Sequence, residues 1–498
     1  MGDPGDPRTP VHPVPTPAAD LGAMPTGSWV VVSNAPISGL NGLATSIRLG
    51  GLHVYHRNAT GLDGPTLGLD LDVRSVTATP ADDLLYSAPS TRPTFIRLEE
   101  DAATVVTSML NEDQVYYAAE RVTGRFAYFT DLFLSALVLP ALGLAVDLGP
   151  TPRRTVGNET LVPGVERLGY GLVHESRHTR RGWITREVRS ADLLGRYHRP
   201  TRHSPLAAGR HQLDALAAAV DSSLGDSTSC ATLLSGGIDS GTVTMLAARR
   251  GRAVTAYSVG TPWGDEFADA AQLCRHVGAE LRRLRFGEDD FVLSLPDAVR
   301  WLGVVSAETV EVALTMVTVQ RLRAVPEDLP LLTGYGSDLI NAGVHGVDAT
   351  EAEITAGVVR SVHDTRFSNE LNGRAELAYH RKVHHPFWHW PVMKAALETA
   401  ASCKVRDGRE KYHLRTAMQE HVPYEVAWRR KVAVHHGGGL QGGLARRITR
   451  DIGERPREAL YFELFRALMD ETGRGGLDRL DPVRIHDSAL KSLSDKRH

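Results

Sequence analysis

Between Gly27 and about Val188 the apolar residues fall in short runs: Trp29-Val30-Val31-Val32, Leu52-His53-Val54-Tyr55, Val115-Tyr116-Tyr117, Arg125-Phe126-Ala127-Tyr128-Phe129 and Gly171-Leu172-Val173. Gly, Pro, Asn and Asp turns separate them, which predicts a β-rich sandwich over 27–197. A polar stretch with two prolines, Tyr197 to Pro205, predicts a hinge. From Leu206 the period changes. Leu206 to Leu224 is amphipathic, and then strands at Ala231–Leu234, Ala253–Val259, Leu281–Phe286 and Leu331–Thr333 alternate with helices at Gly241–Arg250 and Glu266–Val277. Such alternation demands right-handed crossovers and a parallel sheet. The pattern reads as a mixed α/β and α+β multidomain chain, its second domain spanning 206–498, with a charged helical stretch from Asp451 onward.

Composition adds limits. At 498 residues the chain exceeds the size at which one core keeps growing. Its net charge of -3 makes no case for nucleic-acid or membrane binding, so pairs such as Arg180-Arg181 and Arg282-Arg283 read as solvated faces. Cys230, Cys274 and Cys403 have no metal-ligand spacing and suit a reducing cytoplasm. No apolar run of about 18 residues occurs, as a membrane span would need. Residues 1–26, Pro-rich and without an apolar signal core, read as a disordered or extended tail. A cytoplasmic enzyme is expected, with a homo-oligomer left open.

The chemistry concentrates where strands end. SGGIDS, Ser235 to Ser240, follows one predicted strand and opens a helix, so small residues admit an anion to the first-turn N–H groups. Asp239 would repel phosphate unless a divalent cation lay between them, which points to Mg²⁺ and a nucleotide. No Gly-Lys-Ser/Thr follows, so this is not the Walker loop; it fits the loop of ATP pyrophosphatases. Gly334-Tyr335-Gly336-Ser337-Asp338 ends another strand, and a parallel sheet would carry Asp338 to the same edge as Asp239. Ser258 and Val259 end a third, where backbone groups could read an adenine edge.

These motifs, with Asp265-Glu266-Phe267-Ala268, resemble the synthetase domain of class B asparagine synthetases. Three further runs are most similar to its β-lactam synthetase and carbapenam synthetase branch: His384-His385-Pro386-Phe387-Trp388, Gly408 to Arg415, and Trp428-Arg429-Arg430-Lys431 through His435-His436-Gly437. The resemblance implies an Ntn-hydrolase-like, inactive glutaminase sandwich followed by an ATP-pyrophosphatase (PP-loop) domain. It implies ATP bound by Ser235, Gly236, Gly237, Asp239, Ser240, Ser258, Val259, Gly334 and Lys411, with Mg²⁺ on Asp239 and Asp338. Tyr335 would pair with Glu370 as a proton-transfer unit, Lys431 would neutralise the oxyanion and departing phosphate, and Glu308, Glu311, Tyr335 and Gly336 would line the substrate pocket.

The family's glutaminase nucleophile is an N-terminal cysteine, and Gly2 stands at that place. The expected reaction is therefore intramolecular: an acyl-adenylate forms from a β-amino acid and an amine of the same molecule closes a β-lactam ring. A carboxymethylproline-type substrate ranks first and a carboxyethylarginine type second. A macrolactam peptide cyclase, an intermolecular amide synthetase and a non-catalytic nucleotide-binding partner remain as alternatives. His435-His436-Gly437 replaces the family's usual His-Glu-Gly, and Gly437-Gly438-Gly439 suggests a mobile, closing loop. The run His380, His384, His385 and His389 is interrupted by Pro386 and reads as structural rather than zinc-binding.

Overall fold

The computed structural model describes residues 24, 27–57, 66–68, 94–111, 113–190, 194, 200–344, 348–368, 370, 383–429 and 439–496. Expectations for most of the 1–26 tail, for 197–199, for His380 and for the 430–438 segment with Arg430, Lys431 and His435-His436-Gly437 lie outside them. Met24 is a correction: it is buried, and its N–H donates to the Leu480 carbonyl at 2.6 Å, so the segment expected to be a tail is anchored there.

Two antiparallel sheets form the N-terminal part. One has the order β2(Thr45–Leu49)-β3(Leu52–Arg57)-β1(Trp29–Ser33)-β8(Arg125–Phe129)-β7(Tyr116–Glu120)-β9(Val165–Arg167). The other runs β11(Gly182–Ser190)-β10(Leu172–Thr179)-β6(Ala102–Val106)-β5(Phe95–Glu99)-β4(Thr66–Gly68). Val30, Val32, Val54, Phe126 and Tyr128 of the first meet Ile96, Leu98, Ala103, Val105 and Leu172 of the second in one buried cluster. Trp29, Val31, Tyr55 and Phe129 alternate with these and bury on the opposite face, against the helices Ser135–Leu142 and Arg457–Gly473. A sheet covered on both faces reads as a continuous apolar run, which is why Trp29 to Val32 shows no polar alternation.

The five predicted strands are present, but β2, β4, β5, β6, β9, β11 and the 135–142 helix were not foreseen. β2 is almost wholly exposed and so lacks a hydrophobic signature. The helix is apolar on all sides with Pro140 inside, and such a run cannot be told from a strand by period. The predicted hinge is also pinned: the N–H groups of Thr201 and Arg202 both donate to the Glu398 carbonyl at 2.9 Å.

The C-terminal part holds the predicted parallel sheet, in the order β14(Glu280–Arg285)-β13(Ala253–Gly260)-β12(Ser229–Leu233)-β15(Leu331–Leu332)-β16(Val383–His384). From β12 the chain winds one way to β13 and β14, then crosses to β15 on the other side. Between β13, β12 and β15 lies the switch point, and ligands of such sheets bind at the carboxyl ends there. No single described helix is long and apolar enough to cross a membrane.

One buried ion pair ties the two parts. Arg300, on the helix Leu295–Leu302, donates to Asp131 Oδ2 at 2.7 Å, with side-chain exposures of 0% and 8%. Asp131 Oδ1 also caps the turn Leu132–Leu134 by accepting from the Phe133 N–H at 3.0 Å. Asp131→Ala should leave the Arg300 guanidinium buried without its carboxylate and cost about 3–5 kcal/mol. Urea unfolding followed by tryptophan fluorescence reads this; an unchanged midpoint would show that the pair does not join the two parts.

Candidate active site

The loop after β12 is braced from within. Ser240 Oγ accepts from the Ser235 N–H at 3.2 Å and lies 3.1 Å from Ser235 Oγ, which takes the Gly237 N–H at 3.3 Å. Gly236 sits at φ 78°, and a Cβ there would lie 2.7 Å from Asp269 Cβ, so only glycine turns this corner. Gly237 caps the helix Ile238–Arg249 with no side-chain bond, which leaves first-turn N–H groups for an anion. Arg429 clamps the loop from outside, donating to the Gly236 carbonyl at 2.7 Å and Gln272 Oε1 at 2.8 Å and pairing with Asp269 at 3.1 Å.

The second motif packs directly on the first. A Cβ at Gly334 would approach the Ser240 backbone N to 2.5 Å, so that glycine sets the contact between the ends of β12 and β15. Ser337 donates to Asp239 Oδ1 at 2.6 Å. Lys411 Nζ lies 2.5 Å from both Asp239 Oδ2 and Asp338 Oδ1, with its side chain fully buried and its backbone at φ 57°. Burial disfavours that ammonium, but the two carboxylates outweigh burial and hold its pKa above the ordinary lysine value. Gly343 closes the third side: a Cβ there would fall 2.0 Å from Asp338 Oδ1 and 2.6 Å from Lys411 Cε.

A polar chain supports this triad. Ser337 Oγ accepts from Asn341 Nδ2 at 3.2 Å, Asn341 Oδ1 from Gln212 Nε2 at 2.9 Å, and Gln212 Oε1 lies 2.8 Å from His413 Nε2. Burial lowers His413 to about 3, so the ring is neutral and its Nε2–H donates. Lys404, lowered by burial to about 7, donates to the Ile340 carbonyl at 2.9 Å.

Tyr335 is half-buried, its hydroxyl donating to the Val312 carbonyl at 3.2 Å and its ring centroid 5.8 Å from that of His385. Burial, then the charge of Glu370, raise its pKa. Glu370 is itself pushed up to about 7 by burial and by the negative charges of Glu308 and Asp338, against a Ser368 hydrogen bond. Tyr335, Glu370, Glu308 and Asp338 thus share one electrostatic neighbourhood, with the phenol proton directed at Val312.

Other expected residues divide. Past the Leu233–Tyr257 register β13 continues beside β14 alone, so the backbone of buried Ser258 and half-buried Val259 has one edge out of the ladder. Gly336 lies beside Trp388 at φ 88°. Exposed Glu308 heads the helix Ala307–Arg321, but Glu311 is a correction: it is buried and pairs with Arg457 at 2.7 Å and the Tyr461 hydroxyl at 3.1 Å. Its carboxylate is taken up by the 457–473 helix. Of the expected mobile glycine run only Gly439 is described, and it differs from a free loop: it caps the helix Leu440–Ile452 at φ 63°, and a Cβ there would lie 2.9 Å from Trp263 Cβ. Gly343 and Ser337 were given no role from the sequence, their nearness to Asp338 being the only local signal.

Against this geometry, a family model described as asparagine synthase matches residues 211–385 and 359–482, over half of the chain. The chain belongs to the asparagine synthase family. It is similar to the carboxyethyl-arginine beta-lactam-synthase of Streptomyces clavuligerus, with 30% identity over 271 residues. That stretch is 53% of this chain and 51% of the relative, so the chain spans about half the length of the curated relative it matches. A solved NMN synthetase from Francisella tularensis covers 60% of this chain and 97% of its own at 14% identity and a TM-score of 0.28, too slight a likeness to support any inference.

The triad's packing is testable apart from activity. Gly343→Ala should push Asp338 and Lys411 apart and cost about 1–3 kcal/mol of stability. Denaturant unfolding checks it, and a neutral result would mean the triad has room that its geometry denies.

Proposed function

We propose that the protein is an ATP- and Mg²⁺-dependent C–N ligase that closes a β-lactam ring within a β-amino acid. The observation that carries this reading is the meeting of the 235–240 loop, the Asp239–Lys411–Asp338 triad and the Tyr335–Glu370 neighbourhood at one sheet edge. On this reading the C-terminal part is an ATP-pyrophosphatase domain and the sandwich a degenerate, Ntn-type glutaminase. The thiols of Cys230 and Cys274 are pushed up by burial to about 11 and about 12, and Cys403 is buried and raised as well. None supplies a thiolate for releasing ammonia from glutamine, which supports an amine carried by the substrate.

The residues present fit Mg-ATP. Two carboxylates at a strand edge, beside uncapped helix N–H groups, match the habit of Mg²⁺ of sharing one or two carboxylates with phosphates. Bound there, Mg²⁺ would neutralise charge on the departing pyrophosphate, beside the Lys411 ammonium. The substrate carboxylate attacks the α-phosphorus, breaking the α–β P–O bond and giving an acyl-adenylate and pyrophosphate. Glu370 accepts the ammonium proton through Tyr335, the freed amine attacks the acyl carbon, and AMP leaves with the carboxylate oxygen. By family resemblance Lys431 meets the oxyanion. A four-membered ring forms only if amine and acyl carbon are held within about 3–3.5 Å and water is kept from the adenylate. The relative's name favours a carboxyethylarginine-type substrate over a carboxymethylproline type, and exposed Glu308 offers a partner for a guanidinium.

Mass spectrometry of products from each β-amino acid with Mg-ATP tests the reading. Loss of one water with one AMP formed is expected. Addition of ammonia or an external amine would favour an intermolecular synthetase, and no pyrophosphate from any substrate would favour a non-catalytic nucleotide-binding protein.

The pH profile is a second prediction. A base must be ionised, and Glu370, raised to about 7, is protonated below that pH and charged above it. kcat/KM for cyclisation should therefore rise through pH 7 and level off above. Glu370→Gln should remove that limb and slow closure on the order of 10²- to 10⁴-fold; a variant that keeps the limb would displace Glu370 from the role.

A further inference from the structure

We propose that the sandwich, without glutaminase chemistry, serves the ligase as the scaffold that positions Glu370, and that Asn111, Gln114, Arg167 and Tyr170 are its positioning residues. The inference rests on Glu370 as the proton acceptor. Glu370 follows the helix Glu351–Thr365, whose last carbonyls need partners from elsewhere. Those of the next two residues find them on the sandwich. The Arg366 carbonyl accepts from Asn111 Nδ2 at 2.8 Å and Gln114 Nε2 at 3.3 Å, and the Phe367 carbonyl accepts from the Arg167 guanidinium.

The grip is reciprocal. Arg366, 2% exposed, donates back to the Met109 carbonyl at 3.2 Å, and its guanidinium carbon stands 3.1 Å from the centroid of the Tyr170 ring. Tyr170 also packs against Phe367, with centroids 5.5 Å apart. The gripping groups come from the β6–β7 connection, from Arg167 at the end of β9 and from Tyr170 in the β9–β10 connection. The two connections are sewn to each other by the Gly171 N–H to the Ser108 carbonyl at 2.9 Å and the Leu168 N–H to the Val115 carbonyl at 2.8 Å. Asn111 holds a left-handed backbone, φ 54°, while its side chain reaches Arg366, and non-glycine residues in that region are uncommon and cluster at functional positions.

From this anchor the last residues follow by short bonds. Ser368 Oγ donates to the Thr365 carbonyl at 3.0 Å and accepts from the Glu370 N–H at 3.3 Å. A displaced 366–367 peptide would carry Glu370 with it and leave the 235–240 loop and Lys411, on separate elements, in place. Two backbone carbonyls and the side chains of Arg366 and Phe367 are thus held together from the sandwich.

Asn111→Gly keeps the backbone conformation and deletes the amide, and Tyr170→Leu removes the stacking surface. Both should raise deuterium uptake in the 363–370 peptide of the full-length protein. With carboxyethylarginine or carboxymethylproline and Mg-ATP, both should slow ring closure on the order of 10- to 100-fold, with substrate-dependent ATP–pyrophosphate exchange within about twofold of wild type. Tyr170→Phe should restore closure, and Arg186→Ala, on the edge strand β11 where its described partner is Glu175, should change neither. Unchanged uptake at 363–370 overturns the grip whatever the enzyme does. Raised uptake with equal losses in exchange and closure overturns the positioning role. If wild type forms no lactam from either substrate, the β-lactam reading fails and deuterium uptake alone decides the grip.

Discussion

A fully buried ammonium between two carboxylates organises the rest of this structure. Without Lys411, Asp239 and Asp338 would be two like charges drawn together at a sheet edge and repelling each other. With it, two strand ends that are far apart in sequence are pulled to one point, and the surrounding choices follow as steric necessities. Gly343 leaves room for the ion pair, Gly334 lets β15 approach the 235–240 loop, and Ser337 spends its hydroxyl on Asp239. Behind them burial holds His413 near 3, so the Asn341–Gln212–His413 chain itself stays neutral.

The sandwich and the parallel-sheet part are joined along one continuous apolar cluster, from Trp29 and Val31 through Phe133 to Phe465, whose ring lies 4.8 Å from that of Phe133. Such a shared core resists hinge motion between the parts, more so with Arg300 and Asp131 neutralising each other inside it. A rigid seam of this kind makes the sandwich useful as a reference surface. A loop held from it, such as 366–370, keeps its place relative to the sheet edge without needing a stiff sequence of its own.

Much of this was legible in the residues. β-rich runs before Val188, alternation after Leu206 and the two motifs at strand ends placed both sheet types, and Asp239, Asp338, Lys411, Tyr335 and Glu370 do converge. What stayed hidden has physical causes. β2 is exposed and polar, so no periodicity marks it. Glu311 lies only about 60° round the same helix from Glu308, and nothing near it in sequence marks Arg457 and Tyr461 as the partners that take up its carboxylate. That Lys411 bridges both aspartates depends on a left-handed residue capping its helix, and a lysine carries no local mark of that conformation. Met24, one apolar residue in a Pro-rich stretch, is held by Leu480, a contact across almost the whole chain.

The geometry also links the two halves of the proposed reaction through Asp338. Its charge helps lift Glu370 to about 7, after burial and Glu308. It is also one of the two carboxylates that would meet Mg²⁺. A cation drawing on Asp338 weakens the push on Glu370, whose pKa then falls and whose ionised, proton-accepting form gains. A substrate ammonium entering between Glu308 and Glu370 acts in the same direction. Glu370 is therefore a weak base while the nucleotide end is unneutralised, and it becomes charged as cations gather on both sides of it. Through Asp338 the ionisation of Glu370 is thus coupled to the charge at the nucleotide end of the proposed site.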